Sequence, residues 1–294
     1  VGGGGGAANG GSGGGGDIVV PAAGGAAPET CSQDVDVVFV LDVSGSMIPP
    51  LTTLVKEVGL VDAALAAKNL PNPPHYGLVI FVDDVVMLNG GAPYSDIAAL
   101  TAAVTAEINQ TNTVPTRQAG PGGVANFSWP ENSLDALYTA ATSFQWRPAA
   151  STLRTILHVT DASFWDLTAV SSRAGDPGGL EANSGNVTSA HSYDETLATL
   201  RENSVWVNTF AARTGGPPGF ALSPPSHGLF RGVAVNVGIG FHEPYDGKPS
   251  IAGATGGLAW DIDAVFDGLI SLATPVNDAI AQAQCAEYPP PEIR

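Results

Sequence analysis

The sequence is poor in cysteine, histidine and basic residues. Its 294 residues include two cysteines, five histidines and 11 lysines and arginines against 28 acidic residues, for a formal net charge of −17. With so few cysteines and histidines, a zinc site built on a Cys/His cluster is not expected. The acidic balance argues against nucleic acid and anionic membrane surfaces as partners, because both repel a protein of this charge. It suits a protein that binds cations.

Long hydrophobic runs are also missing. No apolar stretch approaches the roughly 20 residues that a transmembrane helix needs, so we expect no membrane-spanning segment in this chain. Hydrophobic residues nevertheless make up 44% of the sequence, which is enough to fill a sizeable core. The length is that of one large domain or two small ones.

The two cysteines, Cys31 and Cys285, lie just outside the two ends of the patterned region. This placement predicts a disulfide that joins the termini of one domain. In the chain-entropy model, closing so long a loop contributes up to about 5 kcal/mol. Such a bond implies an oxidising compartment, whereas two unrelated free thiols are the alternative. Because the sequence begins with Val1 rather than methionine, we expect an upstream segment, such as an export signal or a lipid or other anchor.

Glycine and proline mark both ends of the chain. Residues 1–30 are rich in glycine and alanine, which predicts a flexible tether, and residues 286–294 form a proline-rich tail. Residues 31–285 between them are expected to form one domain.

Strand-like and helix-like segments alternate through this domain. Such alternation predicts an α/β fold of the Rossmann-like, doubly wound class, in which helices flank a mostly parallel sheet. The predicted strands are residues 35–41, 76–82, 153–159, 205–211 and 257–262, with 85–88 as the hairpin partner of the second. The predicted helices are residues 51–67, 97–108, 133–144, 193–201 and 265–283.

Two long segments interrupt the alternation. Residues 162–191 and 213–250 are rich in glycine, proline and serine, and each follows a predicted strand. Loops of this length inside a compact domain are usually functional, and in a parallel sheet both would leave the carboxyl edge, where such folds bind ligands. The alternative is a pair of surface insertions without a role.

Oxygen-bearing side chains follow two of the predicted strands. Asp42, Ser44 and Ser46 lie between the first strand and the first helix, and Asp161 follows the strand that ends at residue 159. In a parallel sheet the two groups converge at the carboxyl edge. Because hydroxyl and carboxylate oxygens are hard ligands, the pattern predicts a site for Mg²⁺, Mn²⁺ or Ca²⁺. A helix cap by Ser44 or Ser46 is the local alternative.

These residues carry a resemblance to a known family. Residues 34–283 resemble a von Willebrand factor A (VWA) domain, and Asp42, Ser44 and Ser46 match its metal-ion-dependent adhesion site, or MIDAS. Residues 251–257 (IAGATGG) are similar to the approach to the last strand in that family, although a helix C-cap and turn would also explain the glycines.

A closer resemblance is to the I-like domain of integrin β subunits. Three stretches carry it: residues 76–83 (YGLVIFVD), residues 126–136 (NFSWPENSLDA) and residues 160–162 (TDA). Many A domains use a threonine as the third protein ligand of the metal, and the integrin β pattern uses a glutamate, which corresponds to Glu131 here. An acid in the first turn of a helix, favoured by the helix dipole, is the other interpretation of Glu131.

The resemblance implies a division of roles among the site residues. Ser44, Ser46 and Glu131 would bind the cation directly, and Asp42 and Asp161 would act mainly through bound water.

The sequence departs from the integrin β pattern at two neighbouring sites. Pro49 and Pro50 replace the two acids of the adjacent metal site, so we expect that site to be absent. A second cation, Ca²⁺, would be held by Asp83, Asn126, Pro130 and Glu131, and it is weakened because Ser128 replaces an aspartate. A polar hairpin turn is the alternative role of Asp83.

Aromatic residues and one histidine lie near the proposed metal face. Exposed aromatics there could anchor a partner, but packing of the long loops onto the domain is the more common role of such residues. The residues concerned are Phe127, Trp129, Phe164 and Trp165. His158 lies inside an apolar strand and is interpreted as a satisfied core histidine.

The sequence contains no G-x-S-x-G elbow, P-loop or H-E-x-x-H motif, and Ser44 stands where a phosphoryl-transfer enzyme would carry a second aspartate. We therefore expect a binding protein rather than an enzyme. The resemblance implies a cation-dependent adhesion module of an exported or cell-surface protein, whose metal accepts an Asp or Glu from a protein partner. The alternatives are a scaffold whose metal only orders loops, and an accessory VWA subunit of a larger machine.

Overall fold

The structure is a computed structural model. It describes residues 33–44, 47–68, 70–82, 84–113, 119–120, 124–125, 131–167, 190–212, 229–230, 233–234, 238–271, 273–284, 286 and 288. The tether, most of the tail and both cysteines lie outside this range. The Cys31–Cys285 disulfide therefore stays a prediction.

The described elements follow the alternation that the sequence predicts. The strands are β1 (Asp34–Asp42), β2 (His75–Phe81), β3 (Val85–Met87), β4 (Ala119–Gly120), β5 (Val124–Ala125), β6 (Thr152–Thr160), β7 (Val205–Ala211), β8 (Leu229–Phe230), β9 (Val233–Ala234) and β10 (Ala259–Asp261). The helices are α1 (Ile48–Ala66), α2 (Ile97–Thr113), α3 (Ser133–Ser143), α4 (Tyr193–Glu202), α5 (Ile251–Thr255), α6 (Ile262–Phe266) and α7 (Ala273–Ala283).

Six strands form one sheet in the order β3-β2-β1-β6-β7-β10. All neighbours pair in parallel except β2 and β3, which form an antiparallel hairpin. This is the 3-2-1-4-5-6 order of doubly wound folds, so the predicted fold class is confirmed. Every residue of β1 is buried, because helices cover both faces of a central parallel strand.

Each face of the sheet has its own core. Alternate β1 residues such as Val37 and Phe39 pack with α1, α2, α6 and α7, whereas Val38 and Val40 pack with α3, α4 and α5.

Helix α1 shows how the sequence directs this packing. It begins with prolines in its first turn, where a missing backbone N–H is tolerated. Its buried residues then recur every three or four positions: Leu51, Leu54, Val58, Val61 and Leu65.

The prediction of one closing helix over residues 265–283 is wrong. Helix α6 ends at Phe266 with Asp267 as its C-cap, and the next residue, Gly268, has a left-handed φ of 70°. A new helix, α7, then starts after Ser271, whose hydroxyl accepts a hydrogen bond from the N–H of Ala273 at 3.1 Å. The last strand is also shorter than predicted, because Asp261 caps α6 through the N–H of Asp263.

The predicted approach to the last strand contains a short helix. Helix α5 ends at Thr255 and is capped by the left-handed Gly256, and the chain then enters β10. The helix cap therefore accounts for Gly256, whereas Gly257 has no room for a side chain because a Cβ there would collide with the backbone of Val207. Among the described residues, no helix has the length and apolar character needed to cross a membrane.

Candidate metal centre at the carboxyl edge of the sheet

The strand ends meet at one edge of the sheet. In the register of the sheet, Asp42 lies opposite Phe81 of β2, and Ala211 of β7 lies opposite both Thr160 and Asp261. Each residue is the last of its strand. Because the strand ends are aligned, predicted site residues that follow different strands lie at the same edge of the sheet.

Asp42 is fully buried at the end of the central strand. Its Oδ1 accepts a hydrogen bond from the N–H of Ser44 at 2.8 Å, and its Oδ2 accepts one from the hydroxyl of Thr160 at 2.8 Å. Both donors are neutral, so these bonds orient the carboxylate without compensating its charge. Helix α1 has Met47 as its N-cap residue and no side-chain cap, so helix capping does not explain Ser44.

Asp161 is also buried, with 4% of its surface exposed, and it acts on Asp42 electrostatically. Burial, followed by the nearby Asp161 charge, raises the pKa of Asp42 to about 7, although the bonds from Ser44 and Thr160 oppose the shift. The structure therefore brings together the two acids that the sequence placed after separate strands.

Glu131 is held between the ends of two strands by its backbone. Its N–H donates to the carbonyl of Ser163 at 2.9 Å, and its carbonyl accepts from the N–H of Trp165 at 3.2 Å. The next N–H, that of Asn132, donates to the carbonyl of Val82 at 2.7 Å, just past the end of β2. Glu131 is 7% exposed and precedes α3, so it is not an acid of the first helical turn.

Asp263 is a site residue that sequence reasoning missed. It is buried in the first turn of α6, and its pKa is raised to about 7 by burial and then by the charges of Asp261, Asp161 and Asp267. The signal was available, because Asp263 follows a predicted strand just as Asp161 does. The edge thus concentrates more buried negative charge than the sequence pattern suggested.

Several predicted site residues lie outside the described residues. Ser46 of the MIDAS pattern is one of them. So are Asp83, Asn126 and Pro130, which with Glu131 make up the predicted second cation site. The roles assigned to these residues stay predictions.

The chemistry of the donor set fits a hard divalent cation. Asp42, Ser44 and Asp161 present buried oxygens at one edge, and the raised pKa of Asp42 shows that a cation would relieve unfavourable charge there. In the described part of the chain, no three His, Cys, Asp or Glu side chains form a group that could hold a metal ion. The family pattern uses serine hydroxyls as direct ligands beside its acids, so its cation site does not require three such side chains.

The described aromatic residues beside the site pack inward. Phe164 and Trp165 are fully buried, so they support the loops and do not anchor a partner. Phe127 and Trp129 lie outside the described residues.

His158 is a core residue, as predicted, but within the described part of the chain its hydrogen-bonding groups are not all satisfied as expected. Its ring lies 5.8 Å from that of Phe81 and 5.0 Å from that of Phe241, and its Nε2 is 3.3 Å from Oγ of Ser133. Its Nδ1 has no hydrogen-bond partner among the described residues. Burial lowers the pKa of His158 to about 3, which keeps the ring neutral.

The sheet order, the antiparallel edge strand β3, and the position of Asp42 and Ser44 at the end of the central strand together form the arrangement that the resemblance implies. The chain has the von Willebrand factor A fold.

No protein-family model and no curated protein sequence matches the chain. Solved structures similar to this VWA fold include an aerotolerance-related membrane protein from Bacteroides fragilis, with 13% identity, a TM-score of 0.44, and coverage of 85% of this chain and 98% of that one. The conserved hypothetical protein BatB from Bacteroides thetaiotaomicron has 12% identity, a TM-score of 0.44, and coverage of 84% and 99%.

A third similar structure is proximal thread matrix protein 1 from the mussel byssus. It has 13% identity and a TM-score of 0.42, and the match covers 88% of this chain and 48% of that protein. Another structure of that protein has a zinc-occupied MIDAS motif.

Proposed function

We propose that this VWA domain is a divalent-cation-dependent protein-binding module that accepts an Asp or Glu side chain of a partner. The observation that carries the proposal is the buried pair of Asp42 and Asp161, with Ser44 beside it, at the carboxyl end of the central strand. Such edges are the ligand-binding face of doubly wound folds.

The chain's own residues divide into ligands and orienting groups. Ser44, Ser46 and Glu131 would bind the cation directly, and Asp42 and Asp161 would hold it through water. The hydroxyl of Thr160 fixes the carboxylate of Asp42, and groups that orient metal ligands in this way contribute to metal affinity. When bound, Mg²⁺, Mn²⁺ or Ca²⁺ would neutralise buried charge and attract a partner carboxylate.

The proposed function is binding rather than catalysis. The site offers acids and hydroxyls suited to holding a cation, and we assign it no catalytic residue. A protein that binds other proteins through a cation such as Ca²⁺ fits an extracellular or cell-surface location, where Ca²⁺ is abundant.

Replacing Ser44 tests whether the cation mediates binding. Wild type should bind immobilised acidic peptides in Mg²⁺ and lose them in EDTA. Ser44→Ala should lower Mg²⁺ affinity, measured by calorimetry, about tenfold, or about 1.4 kcal/mol. Ser151→Ala is the control, since that exposed serine lies just before β6, at the other end of the strand. Peptide binding that survives both EDTA and Ser44→Ala would instead favour a scaffold whose metal only orders loops.

Replacing Glu131 tests the integrin-like ligand assignment. Glu131→Thr keeps an oxygen ligand but removes one negative charge, so Mg²⁺ affinity should fall about tenfold, and Glu131→Ala should lower it further. Glu202→Ala, at the end of α4, provides a matched control. If neither Glu131 variant changes Mg²⁺ affinity in calorimetry, the assignment of Glu131 is wrong, and Asn132 or Ser133 becomes the better candidate.

A further inference from the structure

The second insert ends in a segment that is built into the core. Residues 238–250, called the docking segment here, bury Phe241 completely and Tyr245 almost completely. The ring of Phe164, at the start of the first insert, lies 5.3 Å from Phe241 and 5.3 Å from Tyr245, edge-on in both cases. Tyr193 of α4 completes the cluster, 5.7 Å from Phe164. Aromatic pairs at these distances contribute beyond their buried area.

Hydrogen bonds fix the docking segment on three sides. The hydroxyl of Tyr245 donates to Oδ2 of the buried Asp166 at 2.9 Å. The hydroxyl of Tyr193 lies 2.8 Å from the carbonyl oxygen of Pro249. Nε2 of His242 lies 2.8 Å from the carbonyl oxygen of Ala211, the last residue of β7. The described end of the second insert is therefore tied to the first insert and to the carboxyl edge.

Phe164 connects this cluster to the candidate metal centre. It lies between Ser163 and Trp165, the two residues whose backbone groups hold Glu131, and it forms a parallel bridge with Glu131. Packing on the ring of Phe164 thus sets the position of the backbone to which Glu131 is bonded.

We propose that the docking segment is a positioning element for Glu131, through which the second insert is coupled to cation binding. The proposal rests on the proposed function for its link to the cation. It gives part of the insert a role: contacts that shift the docking segment would change the affinity of the site for its cation.

Two glycines of the docking segment provide a matched pair of variants. Gly240 and Gly247 have φ values of 77° and 76°, so alanine is strained to a similar degree at both. A Cβ on Gly240 would lie 2.6 Å from Cε1 of Phe164, whereas a Cβ on Gly247 would have no atom within 4 Å. A Cβ on Gly240 would also lie 3.1 Å from Cε2 of Tyr193, so the difference between the variants isolates the contact with the rings of Phe164 and Tyr193.

The experiment combines two measurements. Amide hydrogen exchange at Glu131 and Trp165 is measured in the metal-free protein, and Mg²⁺ affinity is measured by calorimetry. Gly240→Ala should speed exchange at both amides about tenfold and weaken Mg²⁺ binding about tenfold. Gly247→Ala should leave both within about twofold of wild type.

A second pair keeps the test decisive if Gly240→Ala does not fold. Tyr245→Phe removes the bond to Asp166, and Tyr76→Phe removes the comparable bond from Tyr76 to Asp62 on the other side of the sheet. The first should speed exchange at Glu131 and weaken Mg²⁺ binding about threefold, and the second should change neither.

The proposal is supported only if the docking-segment variants show both faster amide exchange and weaker Mg²⁺ binding, and if their control variants show neither. If exchange at Glu131 stays at the wild-type rate, or if Mg²⁺ affinity is unchanged, the positioning role is overturned. If wild type binds no Mg²⁺, the proposed function fails, and the exchange data alone still decide whether the docking segment holds Glu131.

Discussion

In Asp161→Ala, Mg²⁺ affinity is expected to fall about 100-fold, and cation-dependent peptide binding should disappear at millimolar Mg²⁺. The variant removes one of the buried acids at the carboxyl edge, and without it the remaining acids would attract a divalent ion much less strongly. Calorimetric titration with Mg²⁺ measures the change directly.

Loss of folding would not explain this result. Asp161 is a source of the charge repulsion that raises the pKa of Asp42 and Asp263, so the metal-free variant should be at least as stable as metal-free wild type. Asp278→Ala, which removes an exposed acid of α7, serves as the control for the change in net charge. Wild-type Mg²⁺ affinity in Asp161→Ala would show that the cation is held elsewhere.

The stability of the metal-free protein should fall as pH rises from about 4 to about 7. The pKa of Asp42 is 3.8 in the unfolded chain and about 7 in the folded one, so the folded state keeps a proton that the unfolded state has lost. Once Asp42 is ionised, the cost to the folded state is on the order of 4 kcal/mol. For a domain of this size that corresponds to about 10 °C in Tm.

Thermal unfolding in EDTA at pH 5 and pH 8 checks this expectation against Asp42→Asn, which cannot ionise. The Tm of wild type minus that of the variant should be lower at pH 8 by about 6 °C, because roughly 2.6 kcal/mol of the cost appears between pH 5 and pH 8. Mg²⁺ at about 100 times its Kd should raise the wild-type Tm at pH 8, through roughly 2.7 kcal/mol of binding energy. A pH-independent difference would mean that Asp42 does not carry the buried charge.

The residues at the carboxyl edge can be predicted from the sequence because a buried strand has a local sequence pattern. The β-branched run of β1 marks a buried strand, and any polar residue directly after it must lie at the strand end, which is how Asp42 and Asp161 were placed together. Asp263 obeys the same rule. The sequence does not single it out, because the predicted strand runs to residue 262 and the predicted helix begins at Val265, so Asp263 falls in the connection between them.

Tertiary contacts account for what the sequence did not predict. Nothing local shows that Phe241 and Tyr245 pack on Phe164, because the surrounding glycines and prolines resemble an ordinary surface loop and the contact joins two distant inserts. The break between α6 and α7 had a local signal in Asp267-Gly268, but apolar residues on both sides continue a helical pattern that only the left-handed Gly268 interrupts.

The sheet places its longest strands inside and its shortest at the borders. Strands β3 and β10 at the two edges have three residues each, whereas β1 and β6 in the centre have nine. An exposed edge is a template on which a foreign strand can add, and a three-residue edge offers few hydrogen bonds for this. The apolar strands most prone to form fibrils are thus shielded from edge-to-edge association. With a net charge of −17, the native domain should remain dispersed at concentrations at which a sheet with a long bare edge would aggregate.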